Sequence, residues 1–269
     1  MKNRKLLVLD IDGTLTNSKK EITPKTKAAI EKLQAAGHIV ALASGRPTAG
    51  IRKIADLLEL NTKGGYVLAF NGARIIDWKT GEIVFQQTLD HKYLPELHAG
   101  AVRHGLTIMT YQDEYAIAGT AANEYAEFEA KINGITIRPV ENFAEYVDFS
   151  INKCLLSGDP ADVKKCEDEF LVSMGEELSI FKSEDFFLEI MAKNIDKAAS
   201  LDRLIQLIDI PQENVVCCGD GYNDISMIRF AGVGVAMANA KDVVKEAADV
   251  ITGSNDEDGL VPIIEEYFS

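Results

Sequence analysis

Basic residues are scarce in this sequence relative to acidic ones: 28 Lys and Arg stand against 42 Asp and Glu, which gives a formal net charge of −14. Nucleic acids and anionic membrane surfaces are bound mainly by clustered Lys and Arg. We therefore expect neither a nucleic-acid partner nor a membrane partner. A small anionic ligand is compatible with this balance only where its site supplies local positive charge.

Cysteine is also rare, with four in 269 residues, and none has the Cys-x-x-Cys spacing of a metal or redox site. The two adjacent cysteines are poorly placed to form a disulfide with each other. Free cysteines are usually buried and behave as small apolar side chains. We interpret all four as core residues of a protein in a reducing compartment: Cys154, Cys166, Cys217 and Cys218.

Long apolar runs are absent, because no stretch reaches the roughly 18 apolar residues that a transmembrane helix needs. The basic residues near the N-terminus are followed only by Leu6 to Leu9 before Asp10, which is too short for the apolar region of a signal peptide. We therefore expect a cytoplasmic protein. The length allows one large domain or a core with an insert.

Apolar runs and helical patterns alternate in the first 82 residues. Thr23-Pro24 provides a helix N-cap with proline at the first helical position, and Gly37 ends that helix. Strands that alternate with helices predict right-handed βαβ units and a parallel sheet. The predicted elements are strands at 5–9, 39–43 and 66–70, and helices at 24–36 and 48–58.

After residue 83 the pattern changes to α+β, with an antiparallel pair predicted at 106–111 and 115–119. The βαβ pattern resumes with a helix at 195–207 and a strand at 214–218. We therefore predict an α/β core with a central parallel sheet, formed by residues 1–82 and 188–269. An α+β domain formed by residues 83–187 is inserted into it.

Polar side chains follow four of the predicted strands: Asp10 and Asp12, Ser44, Asn71, and the group Asp220, Asn223 and Asp224. The carboxyl ends of parallel strands are where open α/β sheets bind ligands. A single Asp at such a place is often only a helix cap. Several carboxylates around one point repel each other, so together they predict a divalent cation, and Mg²⁺ suits oxygen ligands of this kind.

The segment Asp10-Ile11-Asp12-Gly13-Thr14 is followed in order by Ser44, Lys197 and Gly219-Asp220-Gly221-Tyr222-Asn223-Asp224. With these motifs the chain resembles the haloacid dehalogenase-like superfamily, specifically the Cof-type phosphatases with a large class-II cap. The resemblance covers essentially the whole length and implies a Rossmann-like core. Further matching stretches lie at 70–73, 235–240 and 255–259.

The resemblance implies a role for each motif residue in hydrolysis of a phosphomonoester. Asp10 would be the nucleophile that becomes an aspartyl-phosphate. Asp12 would protonate the leaving alcohol and then activate water. The phosphoryl oxygens would be held by Ser44, Gly45, Lys197 and Asn223.

The resemblance also implies Mg²⁺ as cofactor, bound by the Asp10 carboxylate, the Asp12 backbone carbonyl and the Asp220 carboxylate, with Asp224 in or just outside that shell. One position departs from the family pattern, since Ala198 follows Lys197 where glycine is common. Lys193 is therefore a second candidate for the lysine role.

We expect a Mg²⁺-dependent phosphatase acting on a small phosphorylated metabolite, a sugar phosphate foremost. A phosphohexomutase with the same intermediate and a non-catalytic sensor of phosphometabolites are the alternatives. A P-type pump is disfavoured by Asp12 and by the missing membrane span. In the insert, Tyr111, Tyr115 and Phe128 fit core packing better than substrate contact. Neither the substrate nor the oligomeric state follows from the sequence.

Overall fold

The structure, a computed structural model, describes residues 4–268. Its strands are β1 (Leu6–Leu9), β2 (Ile39–Ala43), β3 (Tyr66–Ala69), β4 (Arg74–Asp77), β5 (Ile83–Gln86), β6 (Thr107–Gln112), β7 (Tyr115–Ala118), β8 (Thr136–Pro139), β9 (Lys153–Ser157), β10 (Leu178–Glu184), β11 (Phe187–Ala192), β12 (Val215–Gly219), β13 (Val233–Ala236) and β14 (Val250–Ile251).

The α-helices of the described residues are α1 (Pro24–Ala35), α2 (Thr48–Leu57), α3 (Leu60–Lys63), α4 (Leu94–Arg103), α5 (Glu124–Asn133), α6 (Phe143–Tyr146), α7 (Pro160–Met174), α8 (Lys197–Ile208), α9 (Ile225–Phe230), α10 (Asp242–Lys245) and α11 (Leu260–Tyr267). Helix α1 begins as predicted: Thr23 is the N-cap, its side chain accepts a hydrogen bond from the Thr26 amide, and Pro24 is the first helical residue.

The chain divides into two compact units. The first, called here the eight-stranded unit, comprises the described residues 4–45, 51–85 and 196–268. The second, called the six-stranded unit, comprises 46–50 and 86–195. Apart from the short piece 46–50, the units change at 85/86 and 195/196, whereas the predicted insert spans 83–187. Strand β11 explains the later boundary, because it pairs with β9 and β10 in the six-stranded sheet.

The described residues of the eight-stranded unit form one sheet in the order β14-β13-β12-β1-β2-β3-β4-β5. Strands β14 to β3 run parallel to their neighbours, and β4 is antiparallel to β3. The strands β1, β2 and β12 are buried along their whole length, as expected for parallel strands covered on both faces. This confirms the prediction of an α/β core with a central parallel sheet.

The six-stranded unit has a sheet in the order β10-β11-β9-β6-β7-β8 within the described residues. The predicted pair β6 and β7 is antiparallel, and β8 joins β7 in parallel. Phe143 and Phe170 are fully buried in its core. The inserted part of the chain thus has the predicted α+β architecture.

The aromatic residues singled out in the insert lie in different surroundings. Tyr111 is buried and donates a hydrogen bond from its hydroxyl to Glu129 Oε1 at 2.7 Å. Tyr115 packs on the core of the unit, beneath the guanidinium of Arg138. Phe128 is 48% exposed, and its ring lies nearly perpendicular to that of Phe186, so core packing is the wrong interpretation for this residue.

The four cysteines are free and buried, as expected from the sequence: Cys154, Cys166, Cys217 and Cys218. Within residues 4–268, every helix is too short or too polar to span a lipid bilayer.

Candidate active site

Four loops of the eight-stranded unit begin at the same edge of its sheet. Strands β12, β1, β2 and β3 are adjacent and parallel, so their carboxyl ends point the same way. Asp10, Ser44, Phe70 and Asp220 are the residues that directly follow these strands. The topology therefore brings the predicted polar loops together at one edge.

The side chain of Lys197 lies between two carboxylates. Its Nζ is 2.7 Å from Asp10 Oδ1 and 2.5 Å from Asp224 Oδ1, and Lys197 is only 1% exposed. Lys197 is the first residue of α8, whose N-cap Asp196 accepts a hydrogen bond from the Ala199 amide. The helix start thus determines where the lysine enters the site.

Burial alone would lower the pKa of Lys197, but the charges of Asp10 and Asp224 raise it above its ordinary value. The lysine is therefore a permanent cation at this edge of the sheet. It supplies the local positive charge that an anionic ligand requires in a protein with a strong negative balance.

Asp224 holds the loop that follows β12. Its Oδ2 accepts hydrogen bonds from the backbone amides of Asp220 at 2.9 Å and Gly221 at 2.8 Å, while its Oδ1 faces Lys197. A Cβ at Gly219 would lie 2.4 Å from the Asp224 Cβ, so this close turn requires glycine. Both oxygens of Asp224 are thus engaged within the protein.

Three carboxylates meet at this point: one ligand atom each from Asp10, Asp220 and Asp224 lie within 4.8 Å of one another. Burial and the neighbouring Asp224 raise the pKa of Asp10 despite the lysine. Burial also raises the pKa of Asp220 to about 6, against the hydrogen bond from Thr14. A hard divalent cation, which prefers oxygen ligands, would relieve the electrostatic repulsion among these carboxylates. The three side chains therefore fit Mg²⁺.

The loop after β1 contacts this group through its backbone and Thr14. Gly13 has a φ of +84°, and a Cβ there would lie 2.3 Å from Asp220 Oδ2, which makes glycine necessary on both grounds. Thr14 donates a hydrogen bond from Oγ1 to Asp220 Oδ1 at 2.7 Å. The side chain of Asp12 lies partly exposed and pairs with Lys20, with 2.8 Å between Asp12 Oδ1 and Lys20 Nζ.

The predicted phosphate-binding residues lie along a second row of contacts. The backbone carbonyl of Ser44 accepts a hydrogen bond from the backbone N–H of Asn71 at 2.9 Å. A Cβ on Gly45 would lie 3.3 Å from Asn71 Oδ1, and the same oxygen accepts a hydrogen bond from Asn223 Nδ2 at 3.0 Å. Asn71 therefore links the loops after β2 and β12.

Asn71 was not assigned a role by the sequence motifs, although it lies at a strand end. Its φ of +53° places it in the left-handed region, which Asn tolerates better than most residues. Asn followed by Gly72 is the signal that could have indicated this turn. Its hydrogen bond to Asn223 depends on the tertiary fold and could not be read from spacing.

The alternative lysine, Lys193, contacts other groups. Its Nζ donates to the carbonyl oxygens of Gly175 and Leu178 in the six-stranded unit. Lys197 is thus the lysine that contacts Asp10.

Comparison with known proteins gives the family. The model of the haloacid dehalogenase-like hydrolase family matches residues 7–264. The chain belongs to this family. The match spans nearly the whole sequence and confirms the resemblance found in the motifs.

Two relatives show how far the similarity extends. "Putative phosphatase YxeH" of Bacillus subtilis strain 168 is 32% identical over 97% of this chain and 97% of its own length. The crystal structure of a haloacid dehalogenase-like hydrolase from Bacteroides thetaiotaomicron is 41% identical, with a TM-score of 0.94, over 98% of this chain and 99% of that one. Family and relatives together confirm the expected enzyme class, a phosphatase of the haloacid dehalogenase-like type.

A further solved structure is described as a sugar phosphatase of subclass IIB in the same superfamily. It is 27% identical to this chain, with a TM-score of 0.84, and covers 98% of each chain.

Proposed function

We propose that this phosphatase is Mg²⁺-dependent and hydrolyses small phosphomonoesters, sugar phosphates foremost, through an aspartyl-phosphate on Asp10. The observation that carries the proposal is the buried contact of Lys197 with both Asp10 and Asp224, beside Asp220. The similarity to a sugar phosphatase supports the substrate class. We further propose that the six-stranded unit is the cap domain. We also propose that the protein is cytoplasmic.

The site must first hold a dianion beside a carboxylate, which is electrostatically unfavourable. Mg²⁺ would be held by the carboxylates of Asp10 and Asp220 and the backbone carbonyl of Asp12, with Asp224 in or next to that shell, and would supply positive charge opposite the phosphate. The cation of Lys197 contributes positive charge of its own. The hydroxyl of Ser44, the amide of Gly45 and the side chain of Asn223 are the further groups that would hold phosphoryl oxygens.

Hydrolysis then proceeds in two displacements at phosphorus. An Asp10 oxygen forms a bond to phosphorus while the bond to the leaving oxygen breaks, and the carboxyl of Asp12 gives its proton to that oxygen. In the second step Asp12 takes a proton from water as the water oxygen attacks phosphorus. The bond from phosphorus to Asp10 breaks, which releases inorganic phosphate and restores both side chains.

The test is a phosphate-release assay over sugar phosphates, nucleotides, pyridoxal phosphate and flavin mononucleotide, with Mg²⁺ and after its removal with EDTA. We expect release that requires Mg²⁺ and is abolished by Asp10→Asn, with an unchanged circular dichroism spectrum. Isomerisation of a hexose phosphate without net phosphate release would instead indicate the mutase. No release across the panel would favour the sensor.

A further inference from the structure

Two asparagines from the C-terminal part of the chain hold the loop that follows β1. Asn239 donates a hydrogen bond from Nδ2 to the Gly13 carbonyl at 2.8 Å, and Asn255 donates from Nδ2 to the Thr16 carbonyl at 2.9 Å. The backbone N–H of Asn255 in turn donates a hydrogen bond to Asn239 Oδ1 at 3.0 Å. We call these two residues the asparagine clamp. They belong to the matched stretches at 235–240 and 255–259, which the proposed mechanism does not use.

The clamp holds the turn that contains Asp12. Gly13 is the next residue after Asp12, and Thr16 forms an isolated parallel bridge with Asp12. The Thr16 amide donates to the Ile11 carbonyl at 2.9 Å, so the turn closes on itself just before Asp12. Two carbonyl groups that follow Asp12 in the chain, those of Gly13 and Thr16, are thus fixed from outside the loop.

The nucleophile is held by different groups. The Asp10 amide donates to the Cys218 carbonyl at 3.0 Å in continuation of the sheet, and its carboxylate faces Lys197. Neither contact involves Asn239 or Asn255, so we expect a loss of the clamp to leave both in place. The asparagine clamp and the nucleophile can therefore be separated by experiment.

The side chain of Asp12 is carried by this turn. It lies partly exposed, and its hydrogen bond to Lys20 is formed with a lysine side chain that is itself 60% exposed. An exposed ion pair of this kind fixes a geometry only weakly. Because the turn carries the Asp12 side chain, a shift of the turn backbone moves the Asp12 carboxyl.

We infer that Asn239 and Asn255 are positioning residues for the acid–base group Asp12. The inference rests on the proposed function, in which Asp12 protonates the leaving oxygen. An alkoxide is a poor leaving group and needs that proton as its bond to phosphorus breaks. A nitrophenolate leaves without one, so transfer of the phosphoryl group from p-nitrophenyl phosphate to Asp10 does not need the acid.

The experiment compares kcat/KM for a hexose 6-phosphate, or for glycerol phosphate where that is the better alkyl substrate, with kcat/KM for p-nitrophenyl phosphate. This constant reports the steps up to the first irreversible one, which is the attack by Asp10. The variants are Asn239→Ala, Asn255→Ala and the double variant, with Asp12→Asn as the reference for a missing acid. Circular dichroism and thermal unfolding establish that each is folded.

We expect kcat/KM for the alkyl phosphate to fall by about 10- to 100-fold in the clamp variants, the scale of a misplaced catalytic group. The value for p-nitrophenyl phosphate should change by less than about threefold, and Asp12→Asn should show the same selectivity more strongly. Asp256→Ala is the matched control, because Asp256 lies in the same stretch as Asn255 but its Oδ1 accepts from the Ser18 amide at 2.8 Å, beyond the turn that ends at Thr16. Its ratio of the two constants should equal that of the wild type.

An equal loss with both substrates would overturn the inference, since it would make the clamp a general support of the site. Unchanged constants for the alkyl phosphate would overturn it as well. A wild-type protein that hydrolyses neither substrate with Mg²⁺ would refute the proposed function, and the inference with it.

Discussion

The ammonium group of Lys197 has two roles. It is the buried counter-ion of Asp10 and Asp224, and it is the cation proposed to meet the phosphate. Removing one partner of a buried ion pair leaves an uncompensated charge, which costs more than the pair itself contributes. The residue is therefore expected to matter for folding as well as for turnover.

We predict that Lys197→Met lowers the free energy of unfolding by about 3–5 kcal/mol in the absence of metal, because two buried carboxylates lose their cation. It should also abolish phosphate release. Urea unfolding with EDTA present measures the first effect. Lys20→Met is the control, since Lys20 pairs with Asp12 at the surface. Equal losses in the two variants would contradict this account.

The candidate site residues could be named from the sequence because each follows a strand or starts a helix at a recognisable spacing, and because the motif order resembles a known family. The different contacts of the two Asp224 carboxylate oxygens could not be predicted. One oxygen contacts Lys197 and the other accepts the amides of Asp220 and Gly221. That arrangement depends on the turn conformation, which spacing does not encode. Which of the predicted residues act in catalysis stays a prediction until it is tested.

Among the single elements, helix α8 matters most for the site, because its first residue is Lys197. Its N-cap Asp196 accepts the Ala199 amide at 2.8 Å, and this cap makes Lys197 the first helical residue. Sequence analysis predicted this helix from residue 195, two residues too early. Helix ends are set by the capping side chain, and Asp196 was the signal.

We predict that Asp196→Ala lowers the free energy of unfolding by about 1 kcal/mol and also lowers kcat/KM for phosphate release about tenfold, since the anchor of the lysine is loosened. Asp159→Ala is the matched control. Asp159 caps α7 of the six-stranded unit through the Ala161 amide at 2.9 Å. It should show a similar stability loss by thermal unfolding and unchanged kinetics. A loss of activity in both variants would refute the prediction.

Several elements were missed by sequence analysis for identifiable reasons. Helix α4 contains Gly100, which weakens a helical pattern. In the structure a Cβ at Gly100 would lie 2.4 Å from Phe170 Cζ, so the glycine permits close packing of α4 on α7. This packing is a tertiary contact between residues far apart in the chain, so the local sequence around Gly100 does not reveal it. Strands β4 and β5 extend the sheet beyond its parallel part, where the βαβ rule gives no guidance.

At the scale of the whole molecule, the two units differ in how the chain builds them. The sheet of the six-stranded unit and its buried core lie within residues 86–195, a continuous piece of chain. The eight-stranded unit combines strands from both sides of this insert. Each unit has a hydrophobic core of its own.

We predict that residues 86–195 expressed alone fold into a unit with a cooperative thermal transition and no phosphatase activity, because its core is self-contained. Circular dichroism and calorimetry measure the transition. Phe170→Ala in the fragment should lower its stability by about 3–5 kcal/mol, as expected for a buried phenylalanine. A fragment without a cooperative transition would show that this unit requires the rest of the chain.

The place of β1 in its sheet has a consequence for protein synthesis. Its residues pair with β2 on one side and with β12 on the other, from Leu6 with Val215 to Leu9 with Cys218. On the ribosome, the strand that leads to Asp10 emerges before the insert, whereas its second neighbour β12 is translated only after it. Until then β1 presents an unpaired, fully apolar edge, which is a site for mispairing or for chaperone binding. The nascent chain therefore acquires the contacts of Asp10 with Cys218 and Lys197 only after the insert has been translated.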